Sequence, residues 1–199
     1  GAIECDVENS KFCQNLWDDI KVVCDIIQKT KIEDVKKNIN IAATRTAYKA
    51  TGKDPNRYRP SAESLRRRII RGLGLYKIST LVDLINLVSL KTGFSIGGFN
   101  AEAIKGDLIL TIGEKDDVFY GIGRGKLNIE GLPVYKDSIG GIGTPTSDEE
   151  RTKINDDTSK LLMLINGYSG KEYLPDSIEY SLDLLTKYAK ATNINVRYI

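Results

Sequence analysis

The residue types available for acid–base chemistry are restricted, because the 199-residue chain contains no histidine. A Ser–His or Cys–His nucleophile pair and a histidine-based metal site are therefore excluded. Proton transfer would have to use carboxylates, lysine, tyrosine, cysteine or a bound water. The acidic runs Asp116–Asp117, Asp148–Glu150 and Asp156–Asp157 have the spacing of surface loops, so we expect neither a metal site nor a cofactor.

Basic residues are concentrated between Arg57 and Lys77. This stretch contains seven basic residues and a single acid, Glu63, which gives it a net charge of +6, whereas the whole chain carries +2. Such a cluster is typical of a surface that contacts a polyanion. A solvated helix face is the alternative for part of it. The candidate RNA-binding residues are Arg57, Arg59, Arg67, Arg68 and Arg71.

Two apolar helices carry polar residues that need partners. Arg66 falls on the apolar side of a helix predicted for 61–72, while Asp83 and Asn86 lie on the narrow polar stripe of an apolar helix predicted for 80–93. A buried guanidinium without a partner is strongly unfavourable. We therefore predict a structural ion pair between Arg66 and Asp83, with a ligand-facing role of Arg66 as the alternative. Asn86 either lines a pocket or is satisfied within the core.

Two glycine-rich segments, Gly93–Gly98 and Gly140–Gly143, are candidates for close backbone approach to a ligand. Backbone N–H groups there could hold an ester carbonyl or a carboxylate. Sharp turns between strands are the alternative. The glycines of Gly121–Gly125 are interpreted as a tight turn and not as a nucleotide loop, because no Lys-Ser/Thr pair and no helix follow them.

These segments together resemble the editing module of phenylalanyl-tRNA synthetase β subunits, and the free-standing members of that family most of all. The family has a helix with Asp, Asn three residues later and Gly seven further, followed by a Gln-Pro-x-His-Ala-Phe-Asp run. The residues that match in order and spacing are Asp83, Asn86, Gly93, Phe99 and Asn100. The family's Ala-Gly-x-Met-Gly-Gly turn resembles residues 139–144, so the resemblance covers roughly 57–167.

The resemblance implies a protein that binds the 3′ end of a tRNA and hydrolyses a misattached amino acid, which in the synthetase is tyrosine. It gives a candidate ligand pocket made of Asn86, Gly97, Gly98, Gly140, Gly143 and Thr144. The implied partner is tRNA or aminoacyl-tRNA, or a free amino acid or small molecule. No catalytic residue is identified.

The sequence departs from the family where the pocket is most polar. The positions of the family's His and Pro are occupied by Gly97 and Ser95, and the position of its Glu by Leu164, with Asn166 as the nearest polar substitute. The alternative function is therefore a module that binds an amino acid, a small ligand or tRNA in the same pocket without hydrolysing it.

The elements that must position these residues indicate one α/β or α+β domain, 1–199, with helices packed on a mixed β-sheet. We expect a helical part at about 10–93, a glycine-rich β part at about 94–167 and a terminal helix and strand at about 175–199. Within the helical part, Thr30 and Glu33 are predicted to form a capping box for the second helix. The predicted strands are 2–7, 108–112, 117–122, 132–135, 160–165 and 194–199.

The composition fits a soluble cytoplasmic protein. Hydrophobic residues make up 41% and charged residues 28% of the chain, no apolar run approaches the ~18 residues that span a bilayer, and no signal-peptide pattern is seen. Three cysteines without a Cys-x-x-Cys pair favour reduced thiols. We expect no membrane partner. Gly1 in place of a methionine leads us to expect natural sequence upstream of it.

Overall fold

The computed structural model describes residues 1–199 and has α+β architecture, which confirms the predicted fold class. The helices are α1 (Gln14–Gln28), α2 (Ile39–Ala50), α3 (Ser61–Ile70), α4 (Thr80–Thr92) and α5 (Leu174–Ala189). The strands are β1 (Ala2–Asp6), β2 (Ile96–Asn100), β3 (Ile109–Ile112), β4 (Tyr120–Gly121), β5 (Gly125–Lys126), β6 (Pro133–Lys136), β7 (Gly141–Gly143), β8 (Lys160–Ile165) and β9 (Thr192–Arg197). None of the helices combines the length and hydrophobicity that crossing a bilayer requires.

The strands form a main sheet of order β2-β8-β1-β9, a second sheet of order β3-β6-β7 and a β4–β5 hairpin. All strand pairs are antiparallel, whereas a mixed sheet was expected. The central strands of the main sheet, β1 and β8, pair with each other, and their outer partners β9 and β2 also run antiparallel to them. No strand–helix–strand crossover places two parallel strands side by side.

The main sheet has two faces with different partners, because successive side chains of a strand point to opposite sides. Ile3, Met163 and Ile165 belong to the large core that the sheet forms with α1, α4 and α5. Ala2 and Leu164, which are paired across β1 and β8, instead pack with residues of the second sheet. The second sheet thus covers the face of the main sheet that the helices leave free.

Helix α4 lies in the core, as its nearly uniform apolar composition predicts. It begins at Thr80 and ends at Thr92, and Gly93 follows in the left-handed conformation with φ of 83°. This conformation is accessible to glycine at little steric cost, so Gly93 ends the helix as predicted.

The predicted capping box of the second helix is wrong. The hydroxyl of Thr30 donates to the Ile27 carbonyl at the end of α1, so it closes the first helix instead of opening the next. Helix α2 begins nine residues later at Ile39, where the Asn38 side chain accepts hydrogen bonds from two backbone N–H groups of the first turn. A local pattern of two residues could not distinguish these two roles.

The two glycine-rich segments are partly strands and not only turns. Gly97 and Gly98 lie within β2, and Gly141–Gly143 form β7. The run predicted as a strand at 117–122 contributes only the two residues of β4. Glycine is a poor strand former by propensity, so the close packing described below, and not local preference, determines β2 and β7.

Candidate functional site

A cleft of about 720 Å³ lies between the main sheet and the segment that leads into the second sheet. Just over half of its lining residues are hydrophobic, and Glu4, Asp107 and Arg197 also line it. The hydrophobic ones include Ala2, Leu162 and Leu164 from the main sheet and Ile104, Leu108 and Leu110 from the opposite side. A volume and lining of this kind suit a small molecule or an aminoacyl group.

One end of the cleft is polar. The Tyr135 hydroxyl donates to Asn166 Oδ1 at 2.9 Å, and Asn166 Nδ2 donates to the Ser95 carbonyl at 2.8 Å. The hydroxyl of Tyr168 is enclosed and has no hydrogen-bond partner. Burial raises the pKa of Tyr135 to about 12 and also raises the pKa of Tyr168. Both phenols are therefore neutral at physiological pH and can only exchange hydrogen bonds.

The carboxyl group of Asp148 lies beside this end of the cleft. Gly97 is paired with Leu164 across β2 and β8, and Gly143 is paired with Tyr135 across β6 and β7. Asp148 Oδ1 is 3.4 Å from the position of a Cβ at Gly97 and 2.9 Å from that of a Cβ at Gly143. The carboxyl group thus occupies space that exists because both positions are glycine.

Asp148 is the acid with the most unusual environment. Burial raises its pKa to about 7, against which a single hydrogen bond from the Gly98 N–H to Oδ2, at 3.5 Å, offers little compensation. No cation pairs with it. A carboxyl group that titrates near neutral pH can accept a proton from water in a reaction, or bind an ammonium group. In a chain without histidine, it is the best-placed candidate for either role.

The ring of Phe99 occupies most of the remaining space between the two glycines. Its Cζ atom is 2.6 Å from the position of a Cβ at Gly97 and 2.5 Å from that of a Cβ at Gly143. Any side chain at either position would displace the ring. These two glycines therefore serve the packing of Phe99 and Asp148, and they do not expose a bare backbone to a ligand.

The six residues predicted to form the pocket are only partly brought together. Gly97, Gly98 and Gly143 meet around Asp148. Asn86 lies on α4, which packs on the other face of the main sheet, where the neighbouring Ile85 contacts Gly98. Asn86 therefore lies outside the cleft, because the sheet separates them.

Gly140 and Thr144 have structural roles in turns. The Gly140 N–H donates to Asp137 Oδ1 at 3.1 Å. The Thr144 hydroxyl donates to the Ser147 carbonyl at 3.1 Å and accepts from the N–H groups of Thr146 and Ser147. Neither residue lines the cleft.

The predicted ion pair between Arg66 and Asp83 is wrong. Arg66 Nη2 donates to the carbonyls of Leu90 and Lys91 at 2.6 and 3.3 Å. The end of a helix offers such unpaired carbonyls and a partial negative charge. Asp83 accepts from the Trp17 indole at 2.7 Å and the Ile78 N–H at 3.1 Å. Asp83 lies two turns, or ~10 Å, before Leu90 along α4, so Arg66 reaches the carbonyls at the end of the helix and not the Asp83 carboxylate.

The predicted RNA-binding arginines have several different partners. Arg59 and Arg67, together with Arg45, surround the buried carboxylate of Glu63, with N···O distances of 3.6, 2.8 and 2.8 Å respectively. Arg68 Nε donates to the Gly74 carbonyl at 2.6 Å. Of the five predicted residues, Arg57 and Arg71 remain exposed.

Three residues of the site were not found from sequence. Asp148 was interpreted as part of a surface acidic run, but only Glu150 of that run is exposed. Glu149 is buried and its carboxylate accepts from the Arg151 N–H at 2.7 Å. Tyr135 and Tyr168 gave no local signal. Only the packing of the two sheets, which brings Gly97 of β2 and Gly143 of β7 to the same Phe99 ring, places Asp148 at this site.

The acidic groups do not form a metal site. No cluster of three or more cysteine, aspartate or glutamate side chains has the proximity needed to hold an ion. Asp137, a buried carboxylate, is bound by Arg151, whose Nη1 and Nη2 donate to its two oxygens at 3.0 and 2.9 Å.

Comparison with known proteins identifies the family. The sequence matches the B3/4 domain over residues 43–188, and the chain therefore belongs to the B3/4 domain family, which confirms the resemblance predicted from its motifs. The fold is similar to the crystal structure of an N-terminal fragment of the phenylalanyl-tRNA synthetase β subunit from Pyrococcus horikoshii, with a TM-score of 0.50 at 20% identity. That likeness covers 60% of this chain and 43% of the fragment. A search among curated proteins finds no match.

Proposed function

We propose that the protein binds the aminoacylated 3′ end of a tRNA and hydrolyses the ester bond. Its family and the synthetase-like fold support the substrate class. The observation that carries the proposal is the position of the Asp148 carboxyl group, which lies against Gly143, the strand partner of the cleft residue Tyr135, and whose pKa burial raises to about 7.

In this mechanism the apolar walls receive the amino-acid side chain, and the ionised Asp148 acts as general base. It accepts a proton from a water molecule whose oxygen attacks the ester carbonyl carbon. The bond from that carbon to the ribose oxygen breaks, and the proton passes to the ribose oxygen. The products are the free amino acid and the deacylated tRNA. A positioned general base contributes about 10²–10⁴-fold to such a step.

The remaining parts of the substrate would be held outside the cleft. Arg57 and Arg71 are exposed and supply charge for contacts with phosphates.

We propose a cytoplasmic location, because Cys5, Cys13 and Cys24 are all free thiols, as is usual in a reducing compartment.

The decisive experiment is deacylation of a panel of misacylated tRNAs by the wild type and by Asp148→Asn. We expect about 10²-fold slower deacylation in the variant. At each pH the deacylation rate of Asp148→Asn is subtracted from that of the wild type. This difference should rise with pH through about 7, because only the ionised carboxylate accepts a proton. Asp157→Asn, at an exposed site, is the control. Wild-type rates equal to the uncatalysed rate for every tRNA would refute hydrolysis.

A non-catalytic ligand-binding module is the second candidate. It is favoured by the chain of hydrogen bonds from Tyr135 through Asn166 to Ser95, which engages both the oxygen and the nitrogen of the Asn166 amide within the protein. In this case Asp148 binds the ammonium group of an amino acid and no bond is broken. A rise in melting temperature with an amino acid, without turnover of any aminoacyl-tRNA, would establish this candidate over the first.

A further inference from the structure

The segment between α3 and α4 exposes an unusual number of large apolar side chains. Leu73, Tyr76 and Ile78 are 59%, 66% and 56% exposed, and Phe12, which precedes α1, is 43% exposed. Large apolar groups grouped at one surface generally mark an interaction site.

This segment is ordered by specific bonds. Arg68 donates to the Gly74 carbonyl at 2.6 Å and to the Leu73 carbonyl at 3.3 Å. Further along, the Ile78 N–H donates to the buried carboxylate of Asp83 at 3.1 Å. The backbone on both sides of Tyr76 is therefore held in place, and binding would not have to order it.

The exposed aromatic rings are adjoined by cations. The guanidinium of Arg68 lies 4.0 Å from the centre of the Tyr76 ring, and Lys77 Nζ lies 4.5 Å from the centre of the Phe12 ring. With Arg68 against one face of Tyr76 and two thirds of the side chain exposed, the other face is open to solvent. An aromatic ring backed by a guanidinium is a favourable stacking surface for a nucleobase.

The charge around these rings selects the class of partner. Residues 64–82 contain five basic residues and no acid. Arg71 and Lys77 are both exposed, and neither forms an ion pair, although the charge of Lys77 also acts on the buried Asp83 carboxylate. A single-stranded nucleic acid offers base faces and phosphates in alternation, which are the two groups that this surface can bind.

We propose that Phe12, Arg68, Arg71, Tyr76 and Lys77, here named the Tyr76 platform, bind single-stranded RNA. A base stacks on the open face of Tyr76, and Arg71 and Lys77 contact the flanking phosphates. The inference goes beyond the proposed function, because the platform lies beside α1 and α4 on the helical side of the main sheet and not at the cleft, so it would bind a single-stranded stretch other than the aminoacylated end.

The test measures binding of an unacylated, fluorescently labelled oligoribonucleotide of about ten nucleotides by anisotropy, between about 50 and 200 mM salt. We expect Tyr76→Ala to weaken binding about tenfold, in line with the loss of one stacked base. Arg71→Glu should also weaken it and lower the slope of log affinity against log salt by about 1 or more. Tyr120→Ala removes another exposed tyrosine, 50% exposed in the β4–β5 hairpin, and should bind as the wild type does.

The outcomes separate this inference from the proposed function, because the oligonucleotide carries no ester. Undiminished RNA binding by folded Tyr76→Ala would overturn the platform even if deacylation were observed. Tyr76-dependent binding to vesicles of phosphatidylserine and phosphatidylcholine, without RNA binding, would overturn it in favour of a membrane surface. Tyr76-dependent RNA binding without deacylation would support the platform and count only against hydrolysis.

Discussion

Two polar side chains, Tyr168 at the polar end of the cleft and Asp148 beside it, make few hydrogen bonds. Asp148 accepts one long hydrogen bond and the Tyr168 hydroxyl has none. Asp137 provides the contrast, because Arg151 and three backbone N–H groups bond its carboxylate. Buried polar groups in native proteins are nearly always satisfied. The Tyr168 hydroxyl therefore lies where a ligand or water would complete the bonding.

At this scale we predict that Tyr168→Phe leaves the free energy of unfolding unchanged or raises it by up to about 1 kcal/mol, because it removes a buried hydroxyl that bonds nothing. Tyr48→Phe is the matched control. Its hydroxyl is 2.8 Å from Thr146 Oγ1, so its loss should cost about 1 kcal/mol. Urea unfolding of both variants measures the difference. Equal losses would mean that the Tyr168 hydroxyl has a partner in solution.

Among the elements, contacts between helix ends link α2, α3 and α4 to one another. The glycine after α4, Gly93, is in contact with the side chain of Asn38, the residue that caps α2. The end of one helix and the start of another are thereby fixed to each other. Arg66 adds to this by bonding the last carbonyls of α4 from α3.

We predict that Gly93→Ala lowers the free energy of unfolding by about 2–3 kcal/mol. The left-handed backbone costs a residue with a Cβ about 1–2 kcal/mol, and the added carbon would lie 2.1 Å from Asn38 Oδ1, displacing a cap worth about 1 kcal/mol. Gly52→Ala, after α2, has a similar φ of 80° but no atom within 4 Å of its added carbon. It isolates the backbone cost, and chemical denaturation that gave the same loss for both would contradict the link to Asn38.

For the whole molecule, two carboxyl groups with opposite pKa shifts make stability depend on pH. Burial alone would raise the pKa of Asp137, but hydrogen bonds from Arg151 and backbone N–H groups outweigh it and lower the pKa to about 2. Its contribution is present above about pH 4 and is lost as pH falls through 2. Burial raises the pKa of Asp148 to about 7, so stability is lost as pH rises from about 4 through 7.

We therefore expect these two groups to give a stability maximum near pH 4, with a decline toward pH 7 that is absent in Asp148→Asn. The decline arises because the folded protein must ionise a carboxyl group in an enclosed site that the unfolded chain leaves in water. The midpoint of urea unfolding from pH 4 to 8 measures it, with Asp157→Asn as the control. A decline of the same size in Asp148→Asn would show that another group causes it.

The sequence by itself determined the fold class, the family, the core position of α4 and the termination of that helix at Gly93. The family followed from the resemblance of motifs spread over residues 57–167. The fold class, the position of α4 and its end follow from composition, helical periodicity and the conformational freedom of glycine, which act locally along the chain. Strand β8 was predicted with its observed bounds for the same reason, since its apolar run is continuous and short.

Only the tertiary structure decided which charges meet and where the polar end of the cleft lies. Arg66 bonds carbonyls 24 and 25 residues away, and Asp148 reaches a glycine 50 residues earlier in the chain. Five arginines were predicted as a phosphate surface, yet two of them, Arg59 and Arg67, bind Glu63. Charged groups bond whichever partner the packing of distant segments brings within about 3 Å, and no local pattern of residue types encodes that choice.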